Sequence, residues 1–341
     1  MKIITFLNLH AGVGQSSLIY HLCWMYALQG RQVVAVDLDP QARLSKLFLE
    51  EAQLESLWQA VGHPGTLLAG LAPLFAGGGE PSGPEPYAVT ADGSPFALGI
   101  SLLLGDPGLA RLEDAWRAPR DLGNDPQEQT SRLVAALRGI FTKAAAVSAA
   151  DLILVDTGPH LSATNRAALL ATDHVIIPLA PDMFSMQGLR NLGPTLRSWR
   201  GEGVELARRR PDVPAVGAMR LAGYVCLQPF GRDRRPGQDF RRWRQQVPRE
   251  YRGAVLGETA GEPVRLEEDP HCLGDLRHYH SLMPMAMQAR RPMFMLKSAD
   301  GAIGAHIYAV QECRKDFEAL AFRIASVCGV RQPVATGATY I

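Results

Sequence analysis

The sequence predicts an α/β fold, a doubly wound and mostly parallel sheet flanked by helices. Three observations carry that prediction. Short apolar runs alternate with helical stretches, a glycine-bearing turn follows the first run, and acidic residues close several of the others. Glycines and carboxylates at the carboxyl ends of strands are where such sheets bind ligands.

The elements follow in order. Residues 3–9 (IITFLNL) form an apolar run suited to a central parallel strand. Residues 16–29 have helical periodicity, and Gly30 stops the helix. A second strand at 33–36 ends on Asp37 and Asp39, and a third at 152–155 ends on Asp156. A fourth at 175–179 leads to Pro181, and a fifth covers 221–227. The connection between the second and third strands is long. Its Gly77–Pro86 stretch, dense in Gly, Pro, Ser and Glu, reads as a loop; 98–104 returns as a strand, and 128–147 as a helix. The segment from 230 to 276 is rich in Arg, Pro and acidic residues, and 300–327 reads as a long amphipathic helix. The simplest organisation is a single domain over 1–330 with insertions at about 76–130 and 230–276, and a frayed tail at 331–341.

Bulk composition narrows the function classes. A formal net charge of +1 over 341 residues gives no whole-molecule attraction to nucleic acid or acidic membranes, so any such surface must be a local patch. The five cysteines are widely spaced with no CxxC pair, which argues for reduced thiols and against a zinc site or disulfide framework. The opening MKIITFLNLH lacks a cleavage-like site, and no stretch approaches the length of a membrane span. A cytoplasmic protein is expected.

The turn His10-Ala11-Gly12-Val13-Gly14-Gln15-Ser16-Ser17 joins the first strand to a helix. Backbone N–H groups of such a turn, with the helix amino terminus, make a phosphate cradle, and Gly12 and Gly14 allow close approach. Ser16 stands where a hydroxyl would ligate Mg²⁺. This loop resembles the phosphate loop of the ParA/MinD/Soj family of deviant Walker A ATPases, usually written KGGVGKTT. Residues 34–41 (VAVDLDPQ) resemble that family's DxDPQ motif, and 152–159 (LILVDTGP) its Walker B strand. Residues 173–189 and 289–305 resemble its following strand with base-side loop and its closing segment.

The resemblance implies an Mg-ATP site and a nucleotide-sandwich homodimer with a protein partner. It places phosphate contacts at residues 10–17, with Pro181 and Gln228 beside the base. It makes Asp39 the water-orienting carboxylate and gives Ser16, Asp37, Asp39 and Asp156 to the metal. Two departures matter. His10 stands in place of the signature lysine, and Gln15 in place of the Walker A lysine. Losing a charge-assisted phosphate contact costs on the order of 1.5–3 kcal/mol, about a ten- to hundredfold loss of affinity. Cations acting on a transferring phosphoryl group can be worth about 10³–10⁵ in rate, so hydrolysis is more exposed than binding. The expected function is therefore a nucleotide-binding dimerisation module, a scaffold or slow switch with weak or absent hydrolysis. Its rivals are an active partition or positioning ATPase with a substitute cation, and a nucleotide-free structural pseudo-NTPase.

Arg234, Arg235, Arg241, Arg242 and Arg244 crowd a stretch that includes Phe240 and Trp243. Clustered cations on one face suit nonspecific DNA, and the alternative is a solvated helix paired with nearby acids. The histidines at 271, 278 and 280 match no familiar zinc spacing.

Overall fold

The computed structural model describes residues 1–60, 65–75, 81, 83–90, 97–112, 126–209, 219–228, 238–259 and 262–331. Residues 77–80 and 82 of the expected loop at Gly77–Pro86 lie outside the described residues, as do Arg234, Arg235 and the tail beyond Arg331.

Strand β1 (Lys2–Phe6) leads through the glycine turn into helix α1 (Gln15–Leu28), and β2 (Val33–Asp37) follows. Then come α2 (Arg43–Phe48), α3 (Glu51–Gln59), α4 (Leu67–Phe75), β3 (Tyr87–Thr90), β4 (Ala97–Leu103) and α5 (Pro126–Val147). The second half runs β5 (Leu152–Asp156), α6 (Ala163–Leu170), β6 (His174–Leu179), α7 (Met183–Arg209), β7 (Arg220–Leu227) and α8 (Gln238–Glu250). It closes with β8 (Cys272–Leu276), α9 (Leu282–Ala289) and α10 (Ala305–Cys328).

The eight described strands form one sheet in the order β3-β4-β2-β5-β1-β6-β7-β8. Only the edge pair β3–β4 is antiparallel. β1 lies between β5 and β6, in register Phe6 to Asp156 and Phe6 to Ile176, so the phosphate-loop turn and Asp156 leave the same end of the sheet. β2 pairs Asp37 with Asp156 on the far side of β5. Acidic strand ends thus meet because parallel pairing aligns carboxyl termini.

Alternation along the central strands explains why both faces are covered. Ile4, Phe6, Val33, Ala35, Leu152 and Leu154 join the core under α1 and α10, while Ile3, Val34, Val36, Ile153 and Val155 join the core under α5 and α6. A third apolar cluster packs α7 and α8 against β6 and β7. There Gly193 on α7 admits the π-helical turn Tyr251–Leu256, because a Cβ at that position would stand 2.0 Å from the Ala254 carbonyl oxygen.

Several boundaries differ from the sequence expectation. The segment 230–276 supplies not only α8 but also β8, the last strand of the sheet, parallel to β7. The closing helix begins at Ala305, not 300, because Gly301 (φ 88°) and Gly304 (φ 57°) break the chain direction after a 3₁₀ turn at Ser298–Asp300. All five cysteines are unpaired, and four are buried.

Candidate nucleotide site

The turn after β1 reverses through two glycines in the left-handed region, Gly12 at φ 85° and Gly14 at φ 93°. No atom lies within 4 Å of where a Gly12 Cβ would stand, so this backbone borders open space. Helix α1 starts at Gln15 with no side-chain cap and no acidic residue in its first turn. Its first N–H groups therefore lack side-chain partners and face the turn. A cavity of about 430 Å³ opens here, lined by the loop from His10 to Ser17 and by Asp39, Arg43, Asp156 and Thr157. A second cavity of about 450 Å³ shares Gly12, Val13, Gly14 and Ser17 with the first and is walled by apolar side chains including Leu227, Met283 and Phe317.

Gln15 turns inward. Its Nε2 donates to Asp156 Oδ1 at 2.8 Å, to the Thr157 carbonyl at 2.9 Å and to the Phe6 carbonyl at 3.2 Å. The amide thereby ties the start of α1 to the end of β5. Thr157 Oγ1 donates to the same Phe6 carbonyl at 2.7 Å. Asp156 is buried, and its Oδ2 has no hydrogen-bond partner. Burial pushes its carboxyl up to about 7, against the pull of Ser16 and Gln15 hydrogen bonding and with Asp39 adding to the rise. A buried, unpartnered carboxylate oxygen beside a serine hydroxyl is the donor chemistry that a hard divalent cation takes.

Asp37 takes a different position from the one assigned by resemblance. It does not line the cavity. Its Oδ2 accepts from both Ser45 N and Ser45 Oγ at 2.7 Å, and Oδ1 accepts from Asp39 N at 3.1 Å. Ser45 Oγ in turn accepts from Gly105 N at 3.0 Å. With both oxygens engaged, Asp37 braces the β2–α2 turn. Burial and the charge of Asp156 raise it to about 8. Asp39 does reach the cavity, where its Oδ1 accepts from Gln41 N at 3.0 Å and its Oδ2 lies 3.6 Å from Arg43 Nε.

Gln228 lines the second cavity, with its amide donated to Asp275 Oδ1 at 3.0 Å. Pro181 lines neither cavity; its neighbour Ala180 does, because the chain turns at Asp182, whose Oδ1 caps α7 by accepting from Ser185 N. His10 lies over Phe184, with ring centroids 5.6 Å apart and near-parallel planes. Phe184, Met183 and Leu161 are exposed.

The loop is also anchored from below. His21 on α1 is buried, and its Nε2 accepts from Met293 N at 3.1 Å, which leaves Nδ1–H to donate to the Ser17 carbonyl at 2.7 Å. Burial pushes this imidazole down to about 4 and keeps it neutral.

The arginine cluster splits. Arg241 and Arg242 are exposed on α8, and Arg242 lies over the Trp243 ring at 5.2 Å. Arg244 turns inward and pairs with Asp275 at 2.7 Å and Glu267 at 2.8 Å, so its charge is spent on holding α8 to β8. Glu250 pairs with Arg190 of α7.

A family model for an AAA domain matches residues 128–203, the stretch from α5 through the Walker B-like strand into α7. IncC of Escherichia coli is 30% identical over 206 residues, covering 60% of this chain and 48% of IncC. The chromosome partitioning protein ParA of Caulobacter vibrioides is 25% identical over 202 residues, covering 59% of this chain and 64% of that protein. The chain is similar in sequence to these partition proteins and has the fold of ParA-type P-loop proteins. It spans about half the length of the curated relatives that it matches, and somewhat more of ParA. Solved structures share this fold across nearly the whole chain. Protein DIP2308 from Corynebacterium diphtheriae superposes with a TM-score of 0.68 at 19% identity, covering 96% of this chain and 98% of its own. pNOB8 ParA bound to nonspecific DNA gives 0.59 at 15%, covering 97% and 99%, and a Cyanothece McdA variant in complex with ATP gives 0.57 at 14%, covering 98% of each.

Proposed function

We propose that this ParA-like chain holds Mg-ATP at the phosphate-loop cavity and, with a second copy, serves as a scaffold or slow switch with weak hydrolysis. The observation that carries the reading is the open loop. Two left-handed glycines, an uncapped helix start and a 430 Å³ cavity face the buried, unpartnered oxygen of Asp156. The amides of Gly12 to Ser17 would hold the phosphates. Ser16, Asp39 and Asp156 would hold the magnesium, whose chemistry is to neutralise charge on the phosphates. The apolar cavity beyond Gly14 would take the base, beside Ala180 and Gln228.

Exposed Phe184 stacks on His10 of the cavity lining, and Leu161 and Met183 are exposed as well; apolar surface of that kind suits a second copy closing over bound nucleotide. Arg241 and Arg242 supply exposed charge for nonspecific DNA. Slow turnover follows from a loop whose lysine position carries a neutral amide already engaged with Asp156.

A second reading, a nucleotide-free structural component, is favoured by that same amide, whose donors already find acceptors within the protein on Phe6, Asp156 and Thr157. Phosphate release, together with sedimentation with and without Mg-ATP, separates the readings. The proposal expects Mg-ATP to drive dimer formation with turnover far below one per minute. Fast turnover that collapses in Asp39→Ala would overturn the slow-switch reading, and indifference to Mg-ATP in both assays would favour the structural one.

A further inference from the structure

We infer that Arg43 supplies the positive charge that the phosphate loop lacks, by binding the phosphates directly in the cavity that it shares with Gly12 to Ser17. The inference rests on the nucleotide-binding reading above and names the residue that makes it electrostatically workable. Among the described residues lining this cavity, Arg43 carries the one permanent positive charge. The cavity also holds Asp39 and Asp156, so an incoming triphosphate would otherwise meet two carboxylates and no fixed cation.

The fold brings Arg43 there by a specific turn. Ala42 adopts the left-handed region at φ 50°, an uncommon conformation for a residue with a Cβ, and Arg43 becomes the first residue of α2. The turn folds the guanidinium back over the β2 end. Nε and Nη2 donate to Gln41 Oε1 at 3.1 and 2.8 Å, which orients the guanidinium plane. The nearest carboxylate, Asp39, stands at 3.6 Å from Nε, beyond a hydrogen bond. An arginine has five N–H donors, so donors remain for a ligand, and the planar fork matches phosphate oxygens. The side chain is 36% exposed, which leaves it room to advance into the cavity. This cation comes from β2–α2 of the same chain, and neither the arginine-rich stretch before α8 nor a partner has to provide it.

Calorimetric titration of the full chain tests the assignment, with Mg-ATP and magnesium tripolyphosphate as separate probes. The proteins are the wild type, Arg43→Ala and Arg43→Lys, each checked for folding by thermal melting. Arg43→Gln replaces the alanine variant if that one melts early. Arg43→Ala is expected to weaken both ligands about ten- to a hundredfold, with Arg43→Lys recovering part of the loss. A loss that persists with tripolyphosphate places the effect on phosphate and not on the base. If the wild type binds and Arg43→Ala binds within twofold of it, the assignment to Arg43 is overturned while the nucleotide reading stands. If the wild type binds neither probe, the nucleotide reading fails, and the role of Arg43 with it.

Discussion

Gln15→Lys would place an ammonium where an amide now donates to Asp156 Oδ1, Thr157 O and Phe6 O. The lysine nitrogen lies one bond farther from Cα than Nε2 does, so at fixed backbone it reaches beyond those acceptors toward the cavity. A charged contact with phosphate in place of a neutral one is worth about 1.5–3 kcal/mol. Part of that gain is lost in the free protein, where the ammonium pairs with Asp156 and must be drawn off. The lower end therefore applies, and the expected gain in Mg-ATP affinity is roughly tenfold. Calorimetry at pH 7.5 on matched wild-type and variant protein measures it. A folded variant whose affinity stays within twofold of wild type would refute the idea that the missing lysine charge limits this site.

Three further outcomes follow from the same geometry. Burial holds Asp156 up to about 7, above its ordinary 3.8, so the folded state binds more protons between those values and stability falls as pH rises through that window. Asp156→Asn should therefore raise the melting temperature at pH 8, with the gain vanishing near pH 4, while abolishing magnesium-dependent ATP binding; a variant less stable at pH 8 would contradict this. Gly193→Ala, whose Cβ would stand 2.0 Å from the Ala254 oxygen, should destabilise by about 1–3 kcal/mol or more in a denaturant titration, and an unchanged midpoint would show that the α7 packing is not tight. Removing Arg241 and Arg242 should lower the salt slope of nonspecific DNA binding by about two, whereas Arg244→Ala should leave that slope alone and reduce stability, since its charge already pairs with Glu267 and Asp275.

Much of the fold was legible because buried parallel strands are almost wholly apolar and end in punctuation. Residues 33–36, 152–155 and 175–179 announce themselves in that way, each within one residue of the strand it becomes, and the phosphate-loop turn follows from Gly12 and Gly14. β8 was not legible, since CLGDL contains a glycine and an aspartate and becomes a strand only by pairing with β7. The candidate site was legible as to location but not as to orientation. Asp37 and Asp39 are two residues apart on β2 and the turn beyond it, and only the arrival of Ser45 and Gly105 decides that Asp37 is braced while Asp39 faces the cavity. Arg244 looks like its neighbours in the sequence, yet the helix face that it occupies turns it onto β8. Arg43 carried a signal that could have been found, an arginine two residues after the DxDPQ-like motif. Its meaning depends on the left-handed Ala42 that directs it back toward the loop.

On this reading the turn between β1 and α1 receives a triphosphate with magnesium beside Asp156. A crystal structure grown with magnesium and a non-hydrolysable ATP analogue tests that most directly. Phosphates are expected on the amides of Gly12 to Ser17, metal within coordination distance of Ser16 Oγ, and the Gln15 amide shifted from Asp156 or bridging it to phosphate. Crystals grown at saturating analogue that keep Gln15 in its present three contacts, with no density in the cavity, would contradict it.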